Sequence, residues 1–199
     1  MKLLIATRNP GKFEEIHAML GGLAEKGVEF VSLADLNLAV DCVEDGESFE
    51  ANALKKARFY AHLSGLPTVS DDSGLRVEAL LGELGVKTRR WGAGEAASDE
   101  EWLAFFMNRM EQAHDRRAEF LCAAAYVDGA EEQVFLGETQ GELTRKIEAP
   151  VKPGIPLSSV FCPQGYAKVY ASLTVEEKNH LSHRGKAFAA LKTYLESIL

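Results

Sequence analysis

Short apolar runs alternate with amphipathic stretches of helical length along most of this 199-residue chain. That alternation restricts the fold to a sheet covered by helices. Residues 2–7 read as a first strand and residues 29–33 as a second. Between them, residues 11–20 read as a helix with Phe13, Ile16, Met19 and Leu20 on its inner face. Ser48 is an N-cap for a helix reaching about residue 62, with Phe49, Ala53, Ala57, Tyr60 and Ala61 at core spacing. Ser98-Asp99-Glu100-Glu101 is a capping-box pattern ahead of Trp102, Phe105, Phe106 and Met110. Residues 120–127 and 133–136, parted by Asp128-Gly129-Ala130, predict a hairpin. Residues 141–147 predict a further strand, and the proline-rich residues 149–166 a loop. Ser182 caps a closing helix with Ala187, Phe188, Leu191, Leu195 and Ile198 facing inward. The expectation is an α/β fold, a mixed central sheet with flanking helices. It forms one domain over residues 1–199, in which residues 74–148 make a second lobe across a cleft.

Composition narrows the function. With 46% hydrophobic and 26% charged residues the chain can bury a proper core. No apolar run approaches the roughly 20 residues of a membrane span. The opening Met1-Lys2-Leu3-Leu4-Ile5-Ala6-Thr7 meets Arg8, Asn9 and Pro10 too soon for a signal peptide. Cys42, Cys122 and Cys162 are odd in number and in no metal-type spacing, which suggests reduced thiols and a cytoplasmic protein. A net charge of −8 argues against nucleic acid as a partner. It leaves room for a small anion held by a local cluster of cations.

Four segments could carry chemistry. Asp71-Asp72-Ser73-Gly74 follows the apolar run of residues 66–70. It reads equally well as an acidic turn closed by a turn glycine or as a site for a hard divalent cation such as Mg²⁺. Thr7-Arg8-Asn9-Pro10-Gly11-Lys12 joins a strand to a helix, so its free N–H groups and the helix dipole suit a phosphate. Its spacing is not that of the Gly-rich P-loop, and an ordinary junction is the alternative. Glu44-Asp45-Gly46 precedes Asn52 and Lys56, which lie four apart on one helix face. Lastly, His183 and Arg184 fall in the first turn of the closing helix, where cations oppose the dipole and call for a bound anion. His180 and His183 lack the HExxH pattern of a zinc pair.

These segments, in order and over most of the chain, resemble the inosine/xanthosine triphosphate pyrophosphatase family. Thr7–Lys12 resembles its opening phosphate loop. Glu44-Asp45-Gly46 with Phe49, Asn52-Ala53 and Lys56-Ala57 resembles its second block, and Asp71-Asp72-Ser73-Gly74-Leu75 its third. Gly82, Gly85 and Arg90 fit the segment after that, and Phe135-Leu136-Gly137-Glu138 with Gly141 a later strand pair. Lys178-Asn179 and Ser182-His183-Arg184-Gly185 resemble the closing block. The resemblance implies an inosine-triphosphatase-like fold around a nucleotide cleft. It implies Mg²⁺-dependent hydrolysis of ITP, dITP or XTP to the monophosphate and pyrophosphate, commonly by a homodimer. It assigns the phosphates to Lys12 and Lys56 with Thr7, Asn9 and Ser73 nearby. Metal falls to Glu44 and Asp72 with Asp71 beside them, water activation to Asp72, and the nucleotide to Lys178, His183 and Arg184.

The chain departs from the family at residues 154–158. Members usually carry Gly-x-Gly-Phe-Gly-Tyr-Asp-Pro-x-Phe here, and Ile155, Leu157 and Ser158 stand at the Phe, Tyr and Asp. Leu84 and Lys87 depart as well, from a proline and an aromatic. Two further readings stay open: the same chemistry on a modified or pyrimidine nucleotide, and a nucleotide-binding module impaired in catalysis.

Overall fold

The structure, a computed structural model, describes residues 1–94 and 96–199. The side chain of Arg90, one of the matches to the family pattern, falls outside the described residues. Six strands form one mixed sheet in the order β2-β1-β3-β4-β5-β6: β1 Lys2–Ile5, β2 Glu29–Ser32, β3 Thr68–Val77, β4 Arg117–Asp128, β5 Glu131–Leu143 and β6 Phe161–Pro163. β1 runs parallel to β2 and β3, and the remaining pairs are antiparallel. The α-helices among the described residues are α1 Pro10–Leu20, α2 Phe49–Ser64, α3 Asp99–Arg109, α4 Val175–Leu181 and α5 His183–Ile198. The α/β architecture read from the sequence is therefore present. No described helix is long and apolar enough to cross a membrane.

Cap chemistry sets the helix starts. Asn9, Ser48, Ser98 and Ser182 accept from the N–H groups of Lys12, Ala51, Glu101 and Gly185. Ser98 and Glu101 complete the capping box, a device worth roughly 1 kcal/mol per cap. α1 and α5 cover one face of the sheet, packing Ile16, Leu20, Phe188 and Leu191 on Ile5, Val69, Cys122 and Ala124. α2 covers the other with Phe49, Ala53 and Ala57 on Ala123, Ala125 and Val127. The small residues of β4 let both helix layers approach closely. A third cluster, around Trp102, Phe106, Phe120 and Phe161, closes the far end of the sheet.

Several elements differ from expectation. Asp71-Asp72-Ser73-Gly74 is not a turn but the middle of the ten-residue β3. Gly74 is required there by contact: a Cβ would collide with Gly85 O, Thr88 Oγ1 and the Phe49 ring. The strand expected at 141–147 is the end of β5, which runs unbroken from Glu131 to Leu143. The loop expected at 149–166 contains a 3₁₀ turn, Pro156–Ser159, and the edge strand β6. α4, with its own Thr174–Glu177 capping box, is an additional helix. Ile198 is half exposed, so the inward face of α5 ends at Leu195.

Candidate active site

A cleft of about 620 Å³ opens where the β1–α1 loop, α2, the middle of β3, residues 154–158 and the α4–α5 junction meet. Thr7, Asn9, Lys12, Glu44, Lys56, Asp72, Ser73, Lys178, His183 and Arg184 all line it. Every residue given a catalytic, metal or substrate role from the sequence, except Asp71, thus lines it.

The β1–α1 loop is built around Asn9. Its Oδ1 accepts from Lys12 N at 3.0 Å, and its Nδ2 donates to Gly154 O at 2.7 Å. The amide anticipated as a substrate donor is spent on capping α1 and tying down the 154–158 segment. Lys12 Nζ lies 3.1 Å from Asp71 Oδ2.

On the α2 side, Asn52 accepts from Gly46 N at 2.7 Å and donates to Asp72 Oδ2 at 3.0 Å. It therefore fastens the acidic turn to the strand carboxylate. One turn on, Lys56 meets Glu44 at 2.5 Å. Burial pushes the Asp72 carboxyl above the usual range, and Glu44 adds to it against the opposing pull of Lys12, Lys56 and Asn52. Burial would lower Lys56, but Glu44, Asp71 and Asp72 hold it above its ordinary value.

The α4–α5 junction supplies the opposite wall. Arg184 Nε and Nη2 both donate to Asp71 Oδ2 at 3.1 Å, Nη2 to Ser73 Oγ at 2.8 Å, and Nη1 to Glu15 Oε2 at 2.5 Å. The anions expected for this guanidinium are thus carboxylates of the protein. Lys178 pairs with Glu15 Oε1 at 2.5 Å and reaches Ser158 Oγ at 3.4 Å. Burial keeps Lys178 below its ordinary value despite Glu15. His183 stacks on Phe120 with centroids 4.5 Å apart and planes 12° apart. Its Nδ1 meets no hydrogen-bond partner among the described residues. Burial first, then Arg184 and Lys178, hold the imidazole well below its ordinary 6.5, so it is neutral at pH 7.

Ile155, Leu157 and Ser158, the departures from the family pattern, turn into this cleft. Gly154, at φ +79°, lets the segment approach Asn9, and Gly154 N donates to Asp99 Oδ2 at the head of α3 at 2.5 Å. Among the described residues no three His, Cys, Asp or Glu side chains form a ready metal cluster. Glu44 and Asp72 line the cleft, as do Glu15 and Asp41, and their carboxylates are a donor set of the kind Mg²⁺ uses together with substrate phosphates.

A profile of the Ham1 family matches residues 3–194. The chain belongs to the Ham1 family. It is 39% identical to a dITP/XTP pyrophosphatase of Geobacter sulfurreducens, over 98% of this chain and 96% of that one. It is 39% identical to the dITP/XTP pyrophosphatase of Mycobacteroides abscessus, over 100% and 97%. Among solved structures, the Ham1 protein of Staphylococcus aureus superposes with a TM-score of 0.81 at 30% identity, covering 100% of both chains. A nucleoside-triphosphatase, dITP/XTP pyrophosphatase from Mycobacterium abscessus superposes with a TM-score of 0.70 at 39% identity, over 96% and 97%. The family resemblance read from the motifs is borne out.

In this Ham1 chain sequence reasoning overlooked Glu15, Phe120 and Tyr170. Glu15 lies three residues after Lys12 on α1, a spacing that suggests an ordinary pair within the helix. It reaches instead across to α4 and α5. Phe120 and Tyr170 sit in apolar stretches and read as core, which they also are. Only the fold brings their rings beside His183.

Proposed function

We propose that this protein is a Mg²⁺-dependent nucleoside triphosphate pyrophosphatase acting on non-canonical purine nucleotides such as ITP, dITP and XTP. The observation that carries the reading is the convergence of Lys12, Lys56, Glu44 and Asp72 with Lys178, His183 and Arg184 on one cleft. The names of its relatives support it. Lys12 and Lys56 hold the triphosphate, with Thr7 and Ser73 as hydroxyl donors. Glu44 and Asp72 would hold the metal, and their hard oxygen ligands fit it. Mg²⁺ held there would supply positive charge that stabilises the phosphate oxygens. Asp72, whose carboxyl burial pushes above its usual range, accepts the proton of the attacking water. The water oxygen bonds to the α-phosphorus, the bond to the bridging oxygen breaks, and pyrophosphate leaves. The lysines stabilise the charge that builds on it.

Lys178, His183 and Arg184 face the nucleoside. A homodimeric assembly is carried over from the family, a cytoplasmic setting follows from the cysteine usage, and residues 74–148 as a second lobe from the pattern of elements along the chain. Pyrophosphate release from a panel of ITP, dITP, XTP and ordinary nucleotides, with and without Mg²⁺, tests the reading. No turnover by folded protein sinks it.

A second reading keeps the chemistry and changes the base. It is favoured by Ile155, Leu157 and Ser158 lining the cleft where the family pattern has Phe, Tyr and Asp. A base stacked on an aromatic gains roughly 1–3 kcal/mol, which aliphatic contact does not reproduce. Ranking kcat/KM over the same panel decides it, since specificity is that ratio.

A further inference from the structure

Asp71 and Asp72 adjoin in sequence but separate in space. In the β3–β4 ladder Asp71 lies opposite Ala124 and Asp72 opposite Ala123, so their side chains leave the sheet on opposite faces. Asp72 shares the α2 face with Ser70, which donates to Ala53 O at 2.6 Å. Asp71 shares the α1–α5 face with Ser73, and Arg184 donates to both. Asp71 is fully buried and takes no part in the cleft wall. Its Oδ2 accepts from Lys12 and twice from Arg184. Its Oδ1 is sealed from solvent without a hydrogen-bond partner among the described residues.

We propose that Asp71 is not a metal ligand but, together with Glu15, a positioning residue. The two carboxylates alternate with Lys12, Arg184 and Lys178 in one chain of ion pairs that sets the phosphate-binding cation at a fixed distance from the nucleoside-facing ones. The links are 3.1 Å for Lys12–Asp71, 3.1 Å for Asp71–Arg184, 2.5 Å for Arg184–Glu15 and 2.5 Å for Glu15–Lys178. Lys12 and Glu15 share one turn of α1, so a single helix supplies two members of the chain and ties it to β3 and to α4–α5. Three cations against two carboxylates leave one net positive charge on a wall open to a polyanion. A cation entering the cleft meets Glu44 and Asp72, on the other side of the sheet from Asp71. The inference rests on the nucleotide-hydrolase reading for what the chain positions, not for its geometry.

The test measures binding apart from turnover. Mn²⁺ is titrated into wild type, Asp71→Asn, Glu15→Gln, Glu44→Gln and Asp72→Asn and followed by electron paramagnetic resonance. Imidodiphosphate affinity is measured on the same proteins by calorimetry, and folding is checked by circular dichroism. Glu44→Gln and Asp72→Asn should weaken Mn²⁺ at least tenfold. Asp71→Asn and Glu15→Gln should leave Mn²⁺ within twofold yet weaken imidodiphosphate at least tenfold. The double variant Asp71→Asn/Glu15→Gln should bind imidodiphosphate no worse than the weaker single variant, as members of one chain do. Asp71→Asn weakening Mn²⁺ as much as Asp72→Asn overturns the proposal. So does wild-type imidodiphosphate affinity in Glu15→Gln. If Asp71→Asn does not fold, Glu15→Gln and Asp71→Glu carry the same test, with Asp71→Glu restoring part of the affinity. Wild type that binds imidodiphosphate but hydrolyses no nucleotide ends the hydrolase reading, while the binding values still decide the chain.

Discussion

Burial and charge assign different work to residues of the same type. Asp71 and Asp72 are both buried acids, yet the cations around Asp71 overcome its burial and hold it well below the carboxylate range, whereas burial prevails at Asp72 and raises it. Asp72→Asn keeps the shape and one of the two acceptor oxygens that Asn52 Nδ2 and Ser73 N use, while removing the proposed proton acceptor. It should lower kcat by about 10²–10⁴-fold, the usual worth of general base catalysis, with the circular dichroism spectrum unchanged. His183 carries a different signature. Its folded-state affinity for protons lies well below the ordinary 6.5 because of burial and the nearby Arg184, Lys178 and Lys12, against the weaker pull of Asp71. The unfolded chain therefore takes up the proton first, and stability should fall as pH drops below about 6.5. Denaturant titrations at pH 7.5 and 5.5 check this, and His183→Gln should flatten the difference.

At the scale of elements, the outer parts of the fold were legible in the sequence and the centre was not. The caps at Ser48, Ser98 and Ser182 predicted three helix starts because a side-chain acceptor beside an apolar periodic run is a local signal. Residues 71–74 misled because Asp, Ser and Gly are turn formers by propensity. Tertiary packing overrode that: β4 pairs along the whole of β3, and Phe49 and Thr88 crowd Gly74. Gly74→Ala should therefore destabilise by about 1–3 kcal/mol through overpacking against backbone that cannot retreat, seen as a lowered Tm. The site residues announced themselves by type and order, but their partners did not. Glu15 and Asn52 act over 169 and 20 residues of sequence, on Arg184 and Asp72, and a single chain carries no mark of such distances. The 154–158 segment is held by Asn9 and Asp99. Gly154→Ala, which puts a Cβ on the Asn9 side chain at a φ of +79°, should raise KM for nucleotide with a smaller effect on kcat.

For the whole molecule, the sheet works as a partition. α2 and β3 bring Glu44, Lys56 and Asp72 to one side of the cleft. α1, α4 and α5 deliver Lys12, Lys178, His183 and Arg184 from the other. The family was legible because these blocks keep their order along the chain. Base preference was not, since Ile155, Leu157 and Ser158 replace the residues by which the pattern would indicate it. Pyrophosphate release by the wild-type protein with Mg²⁺ and ITP, dITP or XTP tests the central claim most directly. The account predicts one pyrophosphate and one monophosphate per triphosphate, lost on chelation of the metal and in Asp72→Asn. Orthophosphate as the first product, or full turnover by folded Asp72→Asn, would contradict it.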